Sequence, residues 1–324
     1  MSMDVLLKFL DDPCLRVTPS FCQNDPFEFG YSEKDIEKLD LISRDKRLGR
    51  DLKDFSDWHG IVSLASNNSN IMMWSHYANN HTGAVVELII DEDRPQSLFV
   101  NSAVGGNYKP SHSDFSFGKV DYNHERGCND IESFGDIESI KKHYYFTKAE
   151  QWKLEGEYRF ITPFNWINRV LLNHNGFMKA RRILKENSDG ITCLNKGDPE
   201  GHRVYELSSS YVFTLSGLNP GLLLELWKAS NANEIMFLIR LNSGFSGHST
   251  GGIGKIFLGC QSNDDAFISE LNNGQGLHCN YYNLSNGNLR NVFKGDIDKN
   301  KYKLIFEEVG NSVYGKHPIG LNKV

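Results

Sequence analysis

The stretch Trp152-Lys153-Leu154-Glu155-Gly156-Glu157-Tyr158-Arg159-Phe160-Ile161-Thr162 decides the fold class. From Glu157 to Thr162 the side chains alternate in character, which predicts a strand with a period of two. That period sets Glu157, Arg159 and Ile161 on one face, with Tyr158 and Phe160 on the other. Upstream, Gly60 to Ala65 and Gly83 to Ile90 also read as strands, and Lys119 to Tyr122 as another. Between the first two, Ile71 to Ala78 is too short and too mixed for a strand and reads as a helical turn. Helical composition marks Ser32 to Asp57, with a break near Gly49, and Asp130 to Gln151.

Downstream, Trp166 to Leu184 reads as a helix and Ser188 to Gly201 as a loop rich in Gly, Asn and Asp. Leu222 to Ala229 and Asp264 to Asn272 read as helices. Glu234 to Leu241, Lys255 to Gly259 and Lys301 to Glu307 read as strands. Strands and helices mix without a βαβ rhythm, so the expected class is α+β rather than a doubly wound sheet. No long Pro- or Ser-rich linker divides the chain, so one domain over 1–324 is expected. Within it, 163–246 reads as a helical insertion or layer.

The chain has 324 residues, 39% hydrophobic and 12% aromatic, with a net charge of −6. Such a chain buries a sizeable core, and the mild acidity gives no global reason to expect duplex nucleic acid. The longest apolar runs, such as Ile235 to Ile239, fall short of a membrane span, and Met1 to Leu10 lacks the basic start of a secretory leader. Cys14, Cys22, Cys128, Cys193, Cys260 and Cys279 are scattered, which fits reduced thiols in a cytoplasmic chain. The histidines lack ligand spacing, so no metal is expected.

Two decoys are set aside. Gly247-His248-Ser249-Thr250-Gly251 satisfies the serine-hydrolase elbow, but a glycine-rich stretch precedes it and a strand follows. Gly254-Lys255 ends like a phosphate loop, but Ile256 stands where Ser or Thr is needed.

Three clusters carry candidate chemistry. Trp74-Ser75-His76-Tyr77-Ala78 packs four polar or stacking side chains into one turn, as a pocket wall or as plain packing. Glu155, Glu157 and Arg159 put three charges on one edge, as a tuned carboxylate pair or as a solvated salt bridge. Leu15-Arg16-Val17-Thr18-Pro19 precedes the turn Asn24-Asp25-Pro26-Phe27-Glu28, with Arg16 as an anchor or an ordinary surface charge.

Taken in order, these motifs resemble a large, mostly bacterial family catalogued as domain of unknown function 2971. Its pattern is L-R-F-T-P…N-D-P-F, W-S-H-Y-A…H-x-G, a V-x-Y strand, T-K…W-x-x-E-x-E-W-R and a late I-x-L-G strand. The matching residues are Leu15 to Pro19, Asn24 to Phe27, Trp74 to Ala78 with His81 and Gly83, and Val120-Asp121-Tyr122. Thr147-Lys148, Trp152, Glu155, Glu157, Arg159 and Ile256 to Gly259 complete it. The chain departs from the pattern at its start, where only Leu7-Lys8-Phe9 corresponds to the family's opening aromatic-Lys-aromatic strand.

A further resemblance is to ADP-ribosyltransferases of the arginine–serine–glutamate type. Arg16, Ser63 (or Ser66) and Glu155-Gly156-Glu157 follow that order. This resemblance implies a split, mostly antiparallel α+β sandwich with flanking helices around a nicotinamide cleft. It implies NAD as substrate and transfer of ADP-ribose to an unknown acceptor. Glu157, Glu155 and His76 are then the catalytic candidates. Arg16, Thr18, Ser63, Trp74, Ser75, Tyr77 and Arg159 are the NAD-binding candidates. Glu157 would stabilise the oxocarbenium-like state, Tyr77 would stack the nicotinamide, and Glu155 would orient the acceptor. The resemblance further implies a toxin or anti-phage defence role, with a neutralising or accessory partner protein. The alternatives are a nuclease or phosphotransferase using His76 with Glu155 or Glu157, and an inert nucleotide- or protein-binding module.

Overall fold

The computed structural model describes residues 1–42, 52, 55–100, 115–126, 137–186, 192–193, 210–214, 220–230, 234–242, 252–265, 267 and 292–309. The expected break near Gly49, the elbow decoy at Gly247 to Gly251, and most of the expected 188–201 loop and 264–272 helix lie outside them. The chain divides into two compact units. The first is Met1–Cys14, Asn67–Phe99 and Leu241–Val324, and the second is Leu15–Ser66 and Val100–Arg240.

The second unit carries an eight-stranded sheet. Its strands are β1 (Cys14–Pro19), β2 (His59–Ala65), β4 (Ser116–Lys119), β7 (Glu157–Pro163), β8 (Arg169–Asn173), β9 (Thr192–Cys193), β10 (Ser210–Thr214) and β11 (Ile235–Arg240). They lie in the order β4-β7-β2-β1-β11-β8-β10-β9. β7 pairs antiparallel with β2 from His59↔Pro163 to Ala65↔Glu157. On its other side Gly118 of β4 sits opposite Arg159. The expected two-faced strand is present: Ile161 packs with Ile61, Phe29, Tyr145 and Phe146 on one face. Phe160 meets Phe117 on the other, with ring centroids 4.3 Å apart. A short parallel pair, β5 (Asp121–Asn123) and β6 (Thr147–Ala149), follows the same unit. Helices α2 (Glu33–Ile42), α4 (Ile137–Tyr145), α5 (His174–Glu186) and α6 (Pro220–Lys228) flank these strands in sequence. Trp227 of α6 anchors its helix: the indole N–H donates to the Asp57 carbonyl at 2.8 Å.

The first unit carries a four-stranded sheet of β3 (Ala84–Ile89), β12 (Gly252–Leu258), β13 (Val292–Ile297) and β14 (Leu304–Glu308), ordered β14-β13-β12-β3. β12 runs parallel to β13 and antiparallel to β3. Helix α1 (Met3–Asp11) and helix α3 (Ile71–Tyr77) belong to the same unit. The molecule is therefore mixed, with mainly antiparallel sheets and several helices.

Three segments depart from the sequence expectation. Leu7-Lys8-Phe9 lies inside α1, not on a strand, and Leu6, Phe9 and Leu10 are buried. Their i, i+3, i+4 spacing is helical, and Ser2 caps the helix by accepting the Val5 N–H. Within Trp166 to Leu184, residues Arg169–Asn173 form a strand before α5 begins at His174. Val170 and Leu172 are both fully buried, and a short apolar run of this kind reads equally as helix or strand. The stretch 163–246 thus gives strands to the large sheet as well as two helices. The strand Val292–Ile297 had no sequence signal strong enough to mark it.

Candidate functional site

The site begins at a turn. Gly156 has φ +54, the left-handed region that glycine enters without a Cβ penalty. It ends the 3-10 turn Glu150–Glu155, and β7 starts at the next residue. The Ser66 N–H donates to the Gly156 carbonyl at 3.0 Å, tying the turn to the end of β2. Glu155 and Glu157 are thereby aimed at one cation. Lys148 Nζ, on β6, lies 2.7 Å from Glu155 Oε2 and 3.2 Å from Glu157 Oε2. The backbone N–H of Glu157 donates to the Tyr122 hydroxyl at 2.8 Å.

Arg159, two residues along the same face, folds back on Glu157. Its Nε is 2.7 Å from Oε1 and its Nη2 is 3.0 Å from Oε2, a bidentate pair. Nη1 donates to the Tyr145 carbonyl at 2.9 Å. Nη2 also reaches Glu28 Oε1 at 2.9 Å, and Lys148 reaches the same oxygen at 3.1 Å. Glu28 comes from the Asn24-Asp25-Pro26-Phe27 turn, which Asp25 Oδ1 closes by accepting the Phe27 N–H at 2.9 Å. Ser63, on β2, sits opposite Arg159 across the strand pair and helps to hold the Glu157 carboxyl down.

The side chains of Glu28, Lys148, Glu157 and Arg159 are each at most 5% exposed, so this is an ion cluster almost out of water. Burial alone would push the Glu157 carboxyl up; Arg159, Lys148 and Ser63 outweigh it and hold Glu157 below the ordinary range. Burial wins at Glu28, whose carboxyl is raised despite Arg159 and Lys148, with repulsion from Glu157 adding to it. Burial would lower Lys148, but Glu157, Glu28 and Glu155 hold its ammonium well above the ordinary lysine range. One cluster therefore holds two carboxylates pushed in opposite directions, as in sites that assign acid and base roles by environment.

A cleft of about 510 Å³ opens beside this cluster. Glu28 and Lys148 line it, with Asp25, Phe27, Arg126 and Trp152 among the other wall residues. Lys148 lies 4.6 Å from the centre of the Trp152 ring, and Arg126 lies 5.5 Å from that of Phe27. Among the described residues no set of three His, Cys, Asp or Glu side chains could hold a metal ion. Three glutamates do converge, but Lys148 and Arg159 already supply the positive charge between them.

Of the expected site residues, Glu155, Glu157, Arg159 and Ser63 are brought together. Arg16 and Thr18 lie on β1, where Thr18 pairs with Ile61 of β2. Arg16 is exposed. Trp74, Ser75, His76 and Tyr77 belong to α3 in the first unit. Trp74 is buried, donates its indole N–H to the Asn68 carbonyl at 2.5 Å and stacks on His81 and Phe306. His76 and Tyr77 are exposed. The plain packing reading thus describes Trp74, while His76 and Tyr77 point outward.

Glu28, Lys148 and Tyr122 were absent from the expected set. Glu28 adjoins Asn24-Asp25-Pro26-Phe27, Lys148 belongs to Thr147-Lys148 and Tyr122 to Val120-Asp121-Tyr122, so adjacency to these motifs is their sequence signal. Among the described residues no helix is long and apolar enough to cross a membrane. Compared with known proteins, the chain matches no family model, no curated protein and no solved structure.

Proposed function

We propose that this chain is an NAD-dependent ADP-ribosyltransferase-like enzyme that cleaves the nicotinamide–ribose bond and transfers ADP-ribose to an acceptor. The observation that carries the reading is the trio Arg16, Ser63 and Glu157. They sit on the neighbouring strands β1, β2 and β7, with Ser63 opposite Arg159, two residues along β7 from Glu157. The finer fold reading, a split antiparallel sandwich around a nicotinamide cleft, belongs to the same proposal.

Bond cleavage of this kind passes through an oxocarbenium-like state, which a nearby ionised carboxylate stabilises. Glu157 stays ionised because Arg159, Lys148 and Ser63 outweigh its burial. Lys148 bonds Glu157 and lines the cleft, so it couples a bound ligand to that carboxylate. Arg16 offers a guanidinium for phosphate oxygens. The acceptor, an accessory or neutralising partner, a toxin or defence role and a cytoplasmic location are parts of this same reading.

The test is nicotinamide release from NAD, with cell lysate as the source of acceptors. Wild type should release it, Glu157→Gln should not, and Ser63→Ala should be slowed. Circular dichroism of each variant separates lost chemistry from lost folding. No release by wild type would overturn the proposal.

A second reading is a catalytically inert nucleotide- or protein-binding module. It is favoured by the depth of Glu157 and Arg159, 4% and 1% exposed, each fully engaged in ion pairs. A nucleotide-induced rise in melting temperature without turnover selects it.

A further inference from the structure

Asp25 is a buried carboxylate with one oxygen unaccounted for. The residue is 4% exposed and lies on the wall of the 510 Å³ cleft. Its Oδ1 accepts the Phe27 N–H at 2.9 Å, whereas its Oδ2 is buried with no hydrogen-bond partner. A carboxylate oxygen taken out of water without a partner is a costly state, and native structures rarely keep one without use.

The described residues of the same wall carry an excess of negative charge. Asp25, Glu28 and Glu125 stand against Lys148 and Arg126. Both cations are already engaged. Lys148 is held by Glu28, Glu155 and Glu157, and Arg126 Nη2 donates to the Gly30 carbonyl at 2.8 Å. Neither satisfies Asp25 Oδ2. The cleft wall also includes the exposed Phe27 and the half-buried Trp152. Aromatic faces beside a carboxylate are the chemistry that recognises an organic cation. Lys148 and Arg126 already sit against Trp152 and Phe27 in this manner, so these walls hold positive nitrogen at short range.

From the orphaned Asp25 oxygen, the acidic excess and the aromatic walls, we infer that this cleft binds an organic cation, a ligand whose ammonium or guanidinium group pairs with Asp25. This is independent of whether the chain cleaves NAD. The cationic group pairs with the Asp25 carboxylate, while the apolar part of the ligand lies against the rings of Phe27 and Trp152. A bare metal ion is a poorer fit, because no three-ligand group is available to it among the described residues.

The experiment uses the full chain without NAD and compares benzylammonium with benzyl alcohol, its neutral match in shape. Binding is read by isothermal titration and by melting temperature. Benzylammonium should bind about tenfold or more tightly than the alcohol, since only it supplies the charge-assisted bond. Asp25→Asn keeps an oxygen for the Phe27 N–H, and should bring the two ligands to within about twofold of each other. Equal affinity of the two probes for wild type, or binding of neither, overturns the inference whether or not the variant folds. A cation preference that persists unchanged in folded Asp25→Asn overturns the role of Asp25. Nicotinamide release is measured separately, so the two readings fail independently.

Discussion

Replacing Arg159 with methionine keeps much of its volume and removes the charge that Glu157 and Glu28 face. Both carboxylates are then buried beside Lys148 alone, and such a broken pair costs about 3–5 kcal/mol. Urea unfolding of Arg159→Met should show that loss. Arg159→Met combined with Glu157→Leu should lose less than the sum of the single changes, because the uncompensated charge leaves with its partner. The two carboxylates also fix the pH response. Glu157 titrates below its ordinary 4.5, so its contribution is complete above that value and is lost as pH falls through the lowered folded value. Glu28 titrates above 4.5, so its contribution is present below that value and is lost as pH rises through the raised one. Melting temperature followed from about pH 3 to about pH 8 should therefore decline on both sides in wild type. Glu28→Gln should flatten the decline that starts above 4.5 and leave the acid-side fall in place. An unchanged profile in Glu28→Gln would refute the assignment of the raised carboxyl to Glu28.

The turn that aims Glu155 and Glu157 is an element with one conformational demand. At Gly156, φ +54, an added Cβ would lie 2.6 Å from Ser66 Oγ. That hydroxyl can rotate away at small cost, so the left-handed backbone sets the penalty. Gly156→Ala should cost about 1–2 kcal/mol by urea unfolding, with nearly the same value in a Ser66→Ala background. A much smaller cost in that background would mean the clash dominates instead. The strands around this turn were legible because alternation is a local property. Glu157 to Thr162, Gly60 to Ala65 and Gly83 to Ile90 each match a strand within a residue or two. Arg169–Asn173 was not legible, because its burial comes from pairing with β10 and β11 on either side, which no local window contains. The same holds for the ion cluster. Glu155, Glu157 and Arg159 are near in sequence and legible together, whereas Glu28 and Lys148 join them only through the fold.

At the scale of the molecule, each unit has its own sheet and its own core. The first unit gathers Trp74, Ala78, Phe257 and Leu304, drawn from three separated parts of the sequence. The second gathers Phe29, Ile61, Tyr145, Phe146 and Ile161. Composition and linker content predict one domain from such a chain, because the crossings between the units carry no Pro- or Ser-rich signature. The W-S-H-Y-A motif shows what this discontinuity hides. Its tryptophan is distant in sequence from Phe257 and Phe306, yet it packs with both around the small sheet. Trp74→Ala removes that ring and the 2.5 Å bond to Asn68, a loss of about 3–5 kcal/mol for a buried tryptophan. Hydrogen exchange read by mass spectrometry should locate the loss. Amides of β3, β12, β13 and β14 should exchange faster, because Trp74 packs within that unit. Amides of β2 and β7, sealed by the Phe29–Ile161 cluster, should keep their protection. Equal acceleration in both sheets would mean that the molecule unfolds as one cooperative body.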